Sequence, residues 1–547
     1  MKRDIILLNN ICQKYCAKII CRRESILMEV IMSYSPLLGS STTHTKVRTP
    51  ENVSRFSGMC SVCTSSCTGT CEIGLSALRG SEAIYPYETD VNQFASEKEY
   101  PLDFSHFNIN GRVFGTVGCE EDVYAATYPK ANINIDFGVE NKIKMKAPII
   151  LPAMAKLNWK DYYAGAAMAG VLVVIGEDVV AKDKNLLIEN GKVVSSPLIN
   201  EMVNSFRQYY RGYGDIILQA NYDDENLGVL DYAITKLGVK SVELKFGQAA
   251  KGIQGMGRVK SIDDAIKFQN MGYLVYPDPS DPEIAENYKN GKGQVFERIG
   301  KLPMWNEEIL IKRVAELRNL GAEHICFKTG PFDPKDLVRI IKIASAAGVD
   351  LITFDGAGGG TGNSPVKMMN EWGIPTVYLE SMLYDILKKF KFRNYNLPQI
   401  AIAGGFASED QIYKGLAIGA PYINFVAVGR AAMAAAMSGK KVEELINSGT
   451  VPKEIQRFGS TKEEIFADIR ELKLYYENAE DISAGAIGVY SYANRLSAGI
   501  KQLMALNRKF RLSYIDRSDI IPMTELAAQV TCLDTYDDIL IRELEKL

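Results

Sequence analysis

From Ala147 onward, eight short apolar runs alternate with amphipathic stretches, and this repetition constrains the fold more than any other feature of the chain. Amphipathic stretches such as 335–347 and 409–419 have the spacing of helices. Alternating strands and helices build a parallel sheet, and eight units without a break in strand order favour a closed barrel over an open doubly wound sheet. The sequence therefore predicts an α/β fold, a (β/α)8 TIM barrel, with strands at 148–153, 171–176, 215–220, 241–246, 324–329, 350–354, 399–403 and 422–428.

The barrel divides the rest of the chain into regions. Before it we expect a leader that either lies outside the fold or forms a surface helix, then a cysteine-rich segment and a segment leading into the barrel. A glycine- and proline-rich insertion after strand four is expected to cover the catalytic face as a lid or substrate loop. A helical appendage, with helices at 462–476 and 492–504, either packs on the barrel or forms a partner-binding module. The predicted bounds are 1–50, 51–100, 101–147, 148–440 for the barrel with its insertion 247–305, and 441–547.

Charge and hydropathy exclude several classes of partner. The 547 residues include 63 basic and 66 acidic ones, so a net charge of -3 offers no general basic surface for nucleic acid or anionic lipid. Charged residues interrupt the leader well short of the roughly 18 uncharged residues that a spanning helix needs. No small-residue cleavage pattern marks a signal peptide. We expect a cytoplasmic protein, an oligomer, without a membrane or nucleic-acid partner.

Four of the ten cysteines crowd into twelve residues, at Cys60, Cys63, Cys67 and Cys71. In a reducing compartment, thiols this close are typical of a metal or iron–sulfur site rather than a disulfide framework. Spacings of two, three and three residues, with Ser, Thr and Gly between, allow tight turns around a small cluster. The segment predicts an iron–sulfur cluster, with zinc or no metal as the alternatives, because the spacing matches neither common ferredoxin pattern.

Glycines follow the last three predicted strands. A phosphate can approach main-chain N–H groups closely only where no Cβ intervenes, and barrel enzymes often hold phosphate after strands seven and eight. We therefore predict a phosphate cradle from Gly404 and Gly405 after strand seven with Gly429 and Arg430 after strand eight. Arg430 opens the next predicted helix, so its charge and the helix N-terminus would act together.

The order of these motifs resembles the FMN-binding synthase domain of glutamate synthases, in the short form without a glutaminase domain, over roughly residues 55 to 500. Residues 245–257, KFGQAAKGIQGMG, are similar to the family's K-x-x-Q-G-A-K-P-G-x-G-G loop, and residues 355–362, DGAGGGTG, to its D-G-G-T-G-A-S-P loop. Two departures stand out. Ala249 replaces a glycine, and the residues at 252–254 stand where proline-glycine is usual.

The resemblance implies that the chain condenses ammonia with 2-oxoglutarate and reduces the product to glutamate with hydride from reduced FMN. Lys251 would then pair with a substrate carboxylate, and Gln248 would hydrogen-bond the substrate or the flavin. Glu177 matches the glutamate of the family's T-G-E-G-G-E and would relay a proton or orient ammonia. The alternatives are a solvated loop lysine at 251 and an ordinary helix N-cap at Glu177 or Asp178.

The same resemblance implies a set of flavin contacts. Lys245 would lie near the N1/O2 edge of the flavin, where positive charge stabilises the reduced ring. Met154 occupies a position like a flavin-contacting segment of the family. A structural lysine and a core methionine are the plainer interpretations. The loop after strand six contributes Asp355, Gly356, Gly358 and Gly359.

This sequence lacks two parts of the family arrangement, and their absence determines which partners we expect. The cysteines that carry a three-iron cluster after strand eight are absent from 430–440, so the upstream cysteines would supply a cluster instead. Without a glutaminase domain, ammonia would come from solution or, derived from glutamine, from a glutaminase subunit. Ferredoxin or an NAD(P)H-oxidising partner would donate electrons. Two other functions stay open, an N-methylglutamate synthase-type transferase and a flavin electron-transfer subunit without its own substrate.

Rival flavin barrels fit the sequence less well. Hydroxy-acid oxidases need a base, usually histidine, at the carboxyl end of a strand. The histidine of the predicted barrel, His324, begins strand five and so lies at the opposite end. Inosine-monophosphate dehydrogenases need a cysteine in the loop after strand six, and 355–365 contains none.

Overall fold

A computed structural model describes residues 72–84, 94–96, 98–120, 122–252, 256–259, 261–293, 295–361 and 364–547. The chain forms two compact units, 1–87 and 88–547. The described part of the first unit is a helix, Glu72–Arg79, followed by a 3-10 turn, Gly80–Ile84. The four clustered cysteines lie outside the described residues, and the iron–sulfur site stays a prediction.

The second unit contains a closed barrel of eight parallel strands in chain order, in which the eighth strand pairs with the first. Every predicted strand is confirmed, with each bound within one residue of the expected one. The strands are buried almost throughout because helices cover the outer face and side chains fill the interior. They are β1 Ile149–Met154, β2 Leu172–Ile175, β3 Ile216–Ala220, β4 Ser241–Lys245, β5 His324–Thr329, β6 Leu351–Asp355, β7 Gln399–Ala403 and β8 Ile423–Ala427.

A helix packs outside the barrel after each strand. The fifth illustrates the local signals: Asp333 caps its N-terminus by accepting from the Lys335 amide, Pro334 takes the first position, and Gly348 ends it with a φ of +68°. The predicted helices at 335–347 and 409–419 are confirmed within one residue. The eight helices are α1 Trp159–Ala169, α2 Pro197–Arg207, α3 Val229–Leu237, α4 Glu307–Leu320, α5 Pro334–Ala347, α6 Thr376–Phe392, α7 Glu409–Ile418 and α8 Arg430–Asn447.

The insertion after β4 is a folded subdomain rather than an open loop. Its sheet has three antiparallel strands, with Phe296–Ile299 between Met256–Val259 and Leu274–Tyr276. Two helices, Ile262–Asn270 and Pro282–Lys289, accompany the sheet. A small apolar core of its own holds it together, formed by Val259, Ala265, Val275 and Phe296.

The C-terminal region packs on the barrel helices through α9, Ala484–Leu506, which lies against α1 and α8. Glycines allow the close approach: a Cβ on Gly165 of α1 would lie 2.4 Å from the Val489 Cβ. The prediction of one helix at 462–476 is wrong. Two single turns, Lys462–Ile465 and Ile469–Leu472, replace it because the backbone is extended at Phe466, and α9 begins eight residues before the predicted 492.

Short elements complete the described chain. Ile520–Pro522 pairs with Phe107–Ile109, which ties the C-terminal region to the segment that precedes the barrel. No helix in the described ranges is both long and apolar enough to cross a bilayer. Apart from short 3-10 turns, the remaining described elements are the strand pairs Phe94–Ala95 with Gly360–Thr361, Ile135–Phe137 with Ile143–Met145 and Leu187–Glu189 with Lys192–Ser195, and the α-helices Tyr222–Asn226, Val366–Glu371, Lys453–Gln456, Glu525–Thr531 and Tyr536–Leu544.

Candidate active site

Four of the predicted residues meet at the carboxyl ends of β2 and β4, and we call them the charged cluster: Glu177, Lys245, Gln248 and Lys251. The Lys245 ammonium donates to the Glu177 carboxylate and, over 2.6 Å, to Gln248 Oε1. Lys251 Nζ lies 3.7 Å from the same Glu177 oxygen. The Lys245 side chain is only 3% exposed, and those of Glu177 and Lys251 are 14% and 13% exposed. The fold therefore joins three of its predicted catalytic and binding residues around one carboxylate.

The alternation of β4 explains where Lys245 points. Successive side chains of a strand face opposite sides, so Glu243 and Lys245 share the barrel interior. Glu243 accepts from Gln219 Nε2 over 2.5 Å, one layer below the charged cluster. After β4 the chain makes a tight turn, in which the Lys251 amide donates to the Gln248 carbonyl over 3.1 Å. This turn returns Lys251 toward Lys245.

Electrostatics fixes the ionisation of the cluster. Burial alone would raise the pKa of Glu177, but the charges of Lys245 and Lys251 outweigh it and hold that pKa well below its usual range. Burial lowers the pKa of Lys245 to about 8, against the opposing attraction of Glu177. At neutral pH Glu177 is a carboxylate that accepts hydrogen bonds, whereas Lys245 is the group closest to giving up a proton.

Neither Glu177 nor Asp178 is a helix N-cap. The chain after β2 makes only a 3-10 turn, Val180–Lys182, whose N-cap position is Val179. Asp178 has a φ of +61°, which is unusual for a residue other than glycine. Its carboxylate instead accepts from Asn221 Nδ2 over 3.0 Å and pairs with Arg298 of the insertion. Tertiary contacts therefore occupy the side chain that sequence alone would assign to capping.

The glycines after β6 and β7 form a surface that we call the glycine floor: Gly356, Gly358, Gly359, Gly404 and Gly405. The two loops are joined where the Gly356 amide donates to the Ala403 carbonyl over 2.7 Å. Thr376, at the start of α6, lies within hydrogen-bonding distance of the Ala357 and Gly404 carbonyls. A Cβ on Gly356 or Gly404 would come within 2.5 or 2.4 Å of Thr376 Oγ1. Only glycine fits there.

Part of the glycine floor is main chain with open space above it. Gly358 and Gly405 have φ values of +113° and +98°, and a Cβ on Gly405 would find only the Gly358 carbonyl oxygen, 4.0 Å away. Gly429 precedes α8, and the exposed Arg430 opens that helix. These two stretches offer open N–H groups and a helix N-terminus, which suit a phosphate.

Met154 ends β1 beside the strand-two loop. Its carbonyl accepts from the Tyr163 hydroxyl and, over 3.0 Å, from the Gly176 amide. These bonds fix the Met154 main chain next to Glu177. Its side chain is partly exposed rather than sealed in the core.

Asp355 links the charged cluster to the glycine floor. It ends β6, accepts from the Ala249 amide over 3.1 Å, and lies 3.9 Å from Lys328 Nζ. The Ala249 Cβ would be 2.9 Å from a Cβ on Gly359, so the alanine that departs from the family loop relies on glycine across the gap. Sequence reasoning missed Lys328. The available signal was a lysine near the end of a buried strand, in register with Lys245.

Sequence reasoning also missed the partners of Asp178, namely Arg298, Asn221 and Asp224. No local pattern marks them because they come from the insertion and from the turn after β3. In the described ranges, no group of three or more His, Cys, Asp or Glu side chains is placed to hold a metal. The described cysteines are free thiols, Cys119 and Cys326 buried and Cys532 exposed.

The half of the barrel that contains the glycine floor matches a known protein family. Residues 301–441 match a family described as the conserved region in glutamate synthase. The resemblance to the glutamate synthase family is confirmed. The matched region runs from the end of the insertion, just before α4, into α8 and contains Lys328, Asp355 and the glycine floor, whereas Glu177, Lys245, Gln248 and Lys251 precede it.

Two curated relatives support the same family over short stretches. The glutamate synthase large subunit-like protein YerD of Bacillus subtilis (strain 168) is 26% identical over 121 residues, 22% of this chain and 23% of the relative. The archaeal-type glutamate synthase (NADPH) of Dehalococcoides mccartyi is 32% identical over 89 residues, 16% of this chain and 17% of the relative. In both cases less than a quarter of the relative's length is matched.

One solved structure superposes on this chain with low similarity. The recombinant flavin-binding domain of baker's yeast flavocytochrome b2 superposes with a TM-score of 0.43 and 13% identity, over 80% of this chain and 81% of that one. The barrel assignment does not depend on this likeness, because the strand pairing alone closes the sheet.

Proposed function

We propose that this protein is an FMN-dependent oxidoreductase that aminates 2-oxoglutarate reductively to L-glutamate. The observation that supports it most is the largely buried Glu177 carboxylate between the ammonium groups of Lys245 and Lys251, beside the main chain of the glycine floor. Carboxylate substrates need fixed cations, and a flavin phosphate needs unobstructed N–H groups. The family match favours this pairing of a flavin with an amino-acid reaction.

The chain fits FMN at the glycine floor. Gly404, Gly405 and Gly429 with Arg430 would hold the phosphate, and Gly356, Gly358, Gly359 and Asp355 would lie along the flavin. Met154 and Lys245 would complete the pocket, with Lys245 nearest to the polar edge of the ring. When reduced, FMN supplies a hydride. The floor suits this role because a Cβ at Gly404 would collide with Thr376, while Gly405 leaves the surface open.

Lys251 is the residue we assign to substrate binding. Its ammonium makes only a long contact, 3.7 Å, with Glu177, whereas Lys245 is hydrogen-bonded to both Glu177 and Gln248. Lys251 can therefore turn toward an incoming carboxylate without breaking a short bond. Gln248 would donate its amide N–H to the same substrate, because its carbonyl oxygen is already engaged by Lys245.

The low pKa of Glu177 limits the chemical roles that its carboxylate can have in this reaction. Ammonia adds to the 2-oxo carbon and water leaves, giving an imine, and a hydride and a proton then complete glutamate. A carboxylate held ionised accepts hydrogen bonds and is a poor proton donor, so Glu177 would orient ammonia and the imine N–H. Lys245, with its pKa near 8, is the better candidate to deliver a proton.

The proposal includes an electron donor and an ammonia source. Electrons would come from ferredoxin or an NAD(P)H-oxidising partner through an iron–sulfur cluster on the upstream cysteines. Ammonia would come from solution or from a glutaminase subunit. A cytoplasmic oligomer is the expected assembly.

The test is product formation by the FMN-loaded protein, reduced chemically without oxygen and given 2-oxoglutarate with ¹⁵N-ammonium. Mass spectrometry should detect ¹⁵N-glutamate. Glu177→Gln and Lys251→Met should each lower its formation by about 10²-fold or more. Lys160→Met, which removes an exposed ion pair with Glu201, should leave it unchanged.

Other outcomes would redirect the proposal. N-methylglutamate formed from methylamine and glutamate, without ¹⁵N-glutamate from ammonium, would indicate the transferase. Flavin that exchanges electrons with a donor but yields neither product would indicate an electron-transfer subunit. Either result would reject reductive amination.

A further inference from the structure

Arg298 of the insertion forms an ion pair with Asp178 of the strand-two loop, which is residues 176–184. Its two terminal nitrogens pair with both oxygens of Asp178, at 3.4 and 3.0 Å. The two side chains are 14% and 22% exposed, so the ion pair is largely withdrawn from water. A guanidinium that meets both oxygens of a carboxylate fixes its orientation as well as its distance.

Within the insertion, Arg298 is held firmly. It lies on the central strand of the three-stranded sheet, opposite Gly257. Its guanidinium carbon is 4.6 Å from the Tyr273 ring centre and 5.6 Å from that of Phe268. Aromatic faces attract and orient a guanidinium. A Cβ on Gly257 would be 3.7 Å from Arg298 Nε, an ordinary van der Waals distance, so the arginine side chain lies directly over Gly257.

On the barrel side, Asp178 directly follows Glu177. The Asp178 amide donates to Asp224 Oδ2 over 3.0 Å, and Asn221 Nδ2 donates to Asp178 Oδ1. Asp178 also has the left-handed φ of +61° that gives the loop its shape after β2. The conformation that aims Glu177 at Lys245 therefore depends on how Asp178 is held.

We propose that Arg298 is a positioning residue, by which the insertion holds the strand-two loop so that Glu177 stays aimed at Lys245 and Lys251. Arg298 makes none of the contacts of the charged cluster and acts through Asp178. The consequence for turnover rests on the proposed function, whereas the consequence for the loop does not.

The charges explain why the loop needs this partner. Without Arg298, the Asp178 carboxylate would remain partly buried beside the Glu177 carboxylate, with Lys182 as the more weakly acting cation nearby. An unpaired buried charge is costly, and like charges repel. The loop would relieve both by moving Asp178 toward water, and Glu177 would move with it.

A second contact between the insertion and the barrel supplies a matched control. Lys301 Nζ lies 3.5 Å from Asp223, in the turn after β3, and donates to the Gly272 carbonyl over 2.6 Å. Lys301→Met removes one cation that joins the same two parts of the molecule and does not touch the strand-two loop. Its main-chain amide still bonds Asp223.

The first test is hydrogen–deuterium exchange of the full chain, read on a peptide covering 176–184. Amides at Asp178, Lys182 and Asp183 are bonded within this loop or to Asp224. Arg298→Gln should speed their exchange about tenfold or more, because opening the loop releases these bonds. Arg298→Lys should fall between Arg298→Gln and wild type, since lysine restores one charge contact, and Lys301→Met should match wild type. Equal exchange in Arg298→Gln and Lys301→Met would overturn the proposal.

Turnover of the FMN-loaded protein is the second test. Arg298→Gln should lower kcat for glutamate formation about tenfold with KM for 2-oxoglutarate changed less than about twofold, because Lys251 is intact. A purely structural loss would lower the yield of active protein and leave both constants near wild type. If the wild-type protein makes no glutamate, the proposed function fails while the exchange result still decides on the loop. Should Arg298→Gln not fold, Arg298→Lys against Lys301→Met decides the question by the same exchange peptide.

Discussion

At the carboxyl ends of the barrel strands, one half of the site consists of main-chain groups and the other half of charged side chains. After β6, β7 and β8 the site is main chain, shaped by glycines that leave N–H groups accessible. After β2, β4 and β5 it is side chain, a group of buried charges that hold one another in place. A main-chain site depends on local conformation, whereas a charged site depends on residues brought from distant parts of the chain. Substitutions in the two halves should therefore have different effects on the protein.

The largest effect is expected in the charged half, from Lys245→Met. It removes a 3% exposed ammonium, and of the Glu177 ion pairs in the described part of the chain the long contact to Lys251 remains. Removing one partner of a buried pair typically costs about 3–5 kcal/mol of stability. Glutamate formation should fall by about 10²-fold or more, since the proposed proton donor is lost as well.

The control lies at the other end of the same strand. Lys240 makes an exposed pair with Glu323 at 3.0 Å, where the side chains are 54% and 46% exposed. Lys240→Met should change the free energy of unfolding by less than about 1 kcal/mol, measured by urea denaturation. Similar losses in the two variants would show that Lys245 is no more than an ordinary surface charge.

In the glycine half, Gly404→Ala should act on the cofactor and Gly405→Ala much less. A Cβ at 404 would lie 2.4 Å from Thr376 Oγ1 and 2.6 Å from the Gly356 carbonyl oxygen, in addition to the strain of its positive φ. Gly405→Ala meets only that strain, about 1–3 kcal/mol. FMN affinity, measured by fluorescence quenching, should therefore fall more in Gly404→Ala. Equal affinities in the two variants would place the flavin away from the Gly404 turn.

The smallest effect at neutral pH is expected from Asp224→Asn. Burial and the nearby Asp178 charge raise the pKa of Asp224 to about 8, so at neutral pH the group is a protonated acid that asparagine resembles. The charged or titratable groups around it are Asp178, Glu177, Lys182, Tyr273 and Arg298. Activity and stability near pH 7 should change little.

The variant should instead alter the pH dependence of stability. An unfolded aspartate loses its proton near 3.8, whereas the folded Asp224 keeps it to about 8. In this interval the folded state binds the extra proton, so this group's contribution to stability falls as pH rises and levels off above about 8. Melting temperatures recorded from about pH 5 to 9 should show a flatter decline in Asp224→Asn than in wild type. The exposed Asp263→Asn should follow wild type, and a decline equally steep in Asp224→Asn would contradict the assignment.

The difference between the halves also explains what sequence could predict. The eight strands were predictable because buried parallel strands read as apolar runs, and Gly404 and Gly405 because a turn that needs positive φ selects glycine. Lys245 ends β4, and Gln248 and Lys251 follow in the next turn, so one sequence motif contains all three. The Arg298–Asp178 pair spans 120 residues and leaves no local pattern. The helix predicted at 462–476 failed because apolar spacing alone does not reveal the extended residue at Phe466.

The central claim, that the glycine half holds a flavin and the charged half directs it to 2-oxoglutarate and ammonia, is tested most directly by flavin absorbance. The FMN-loaded protein is photoreduced without oxygen and followed at about 450 nm, where oxidised flavin absorbs. The account predicts that absorbance returns when 2-oxoglutarate and ammonium are both present and stays low with either alone. Absorbance that stays low with both, or a protein that binds no FMN, would contradict it.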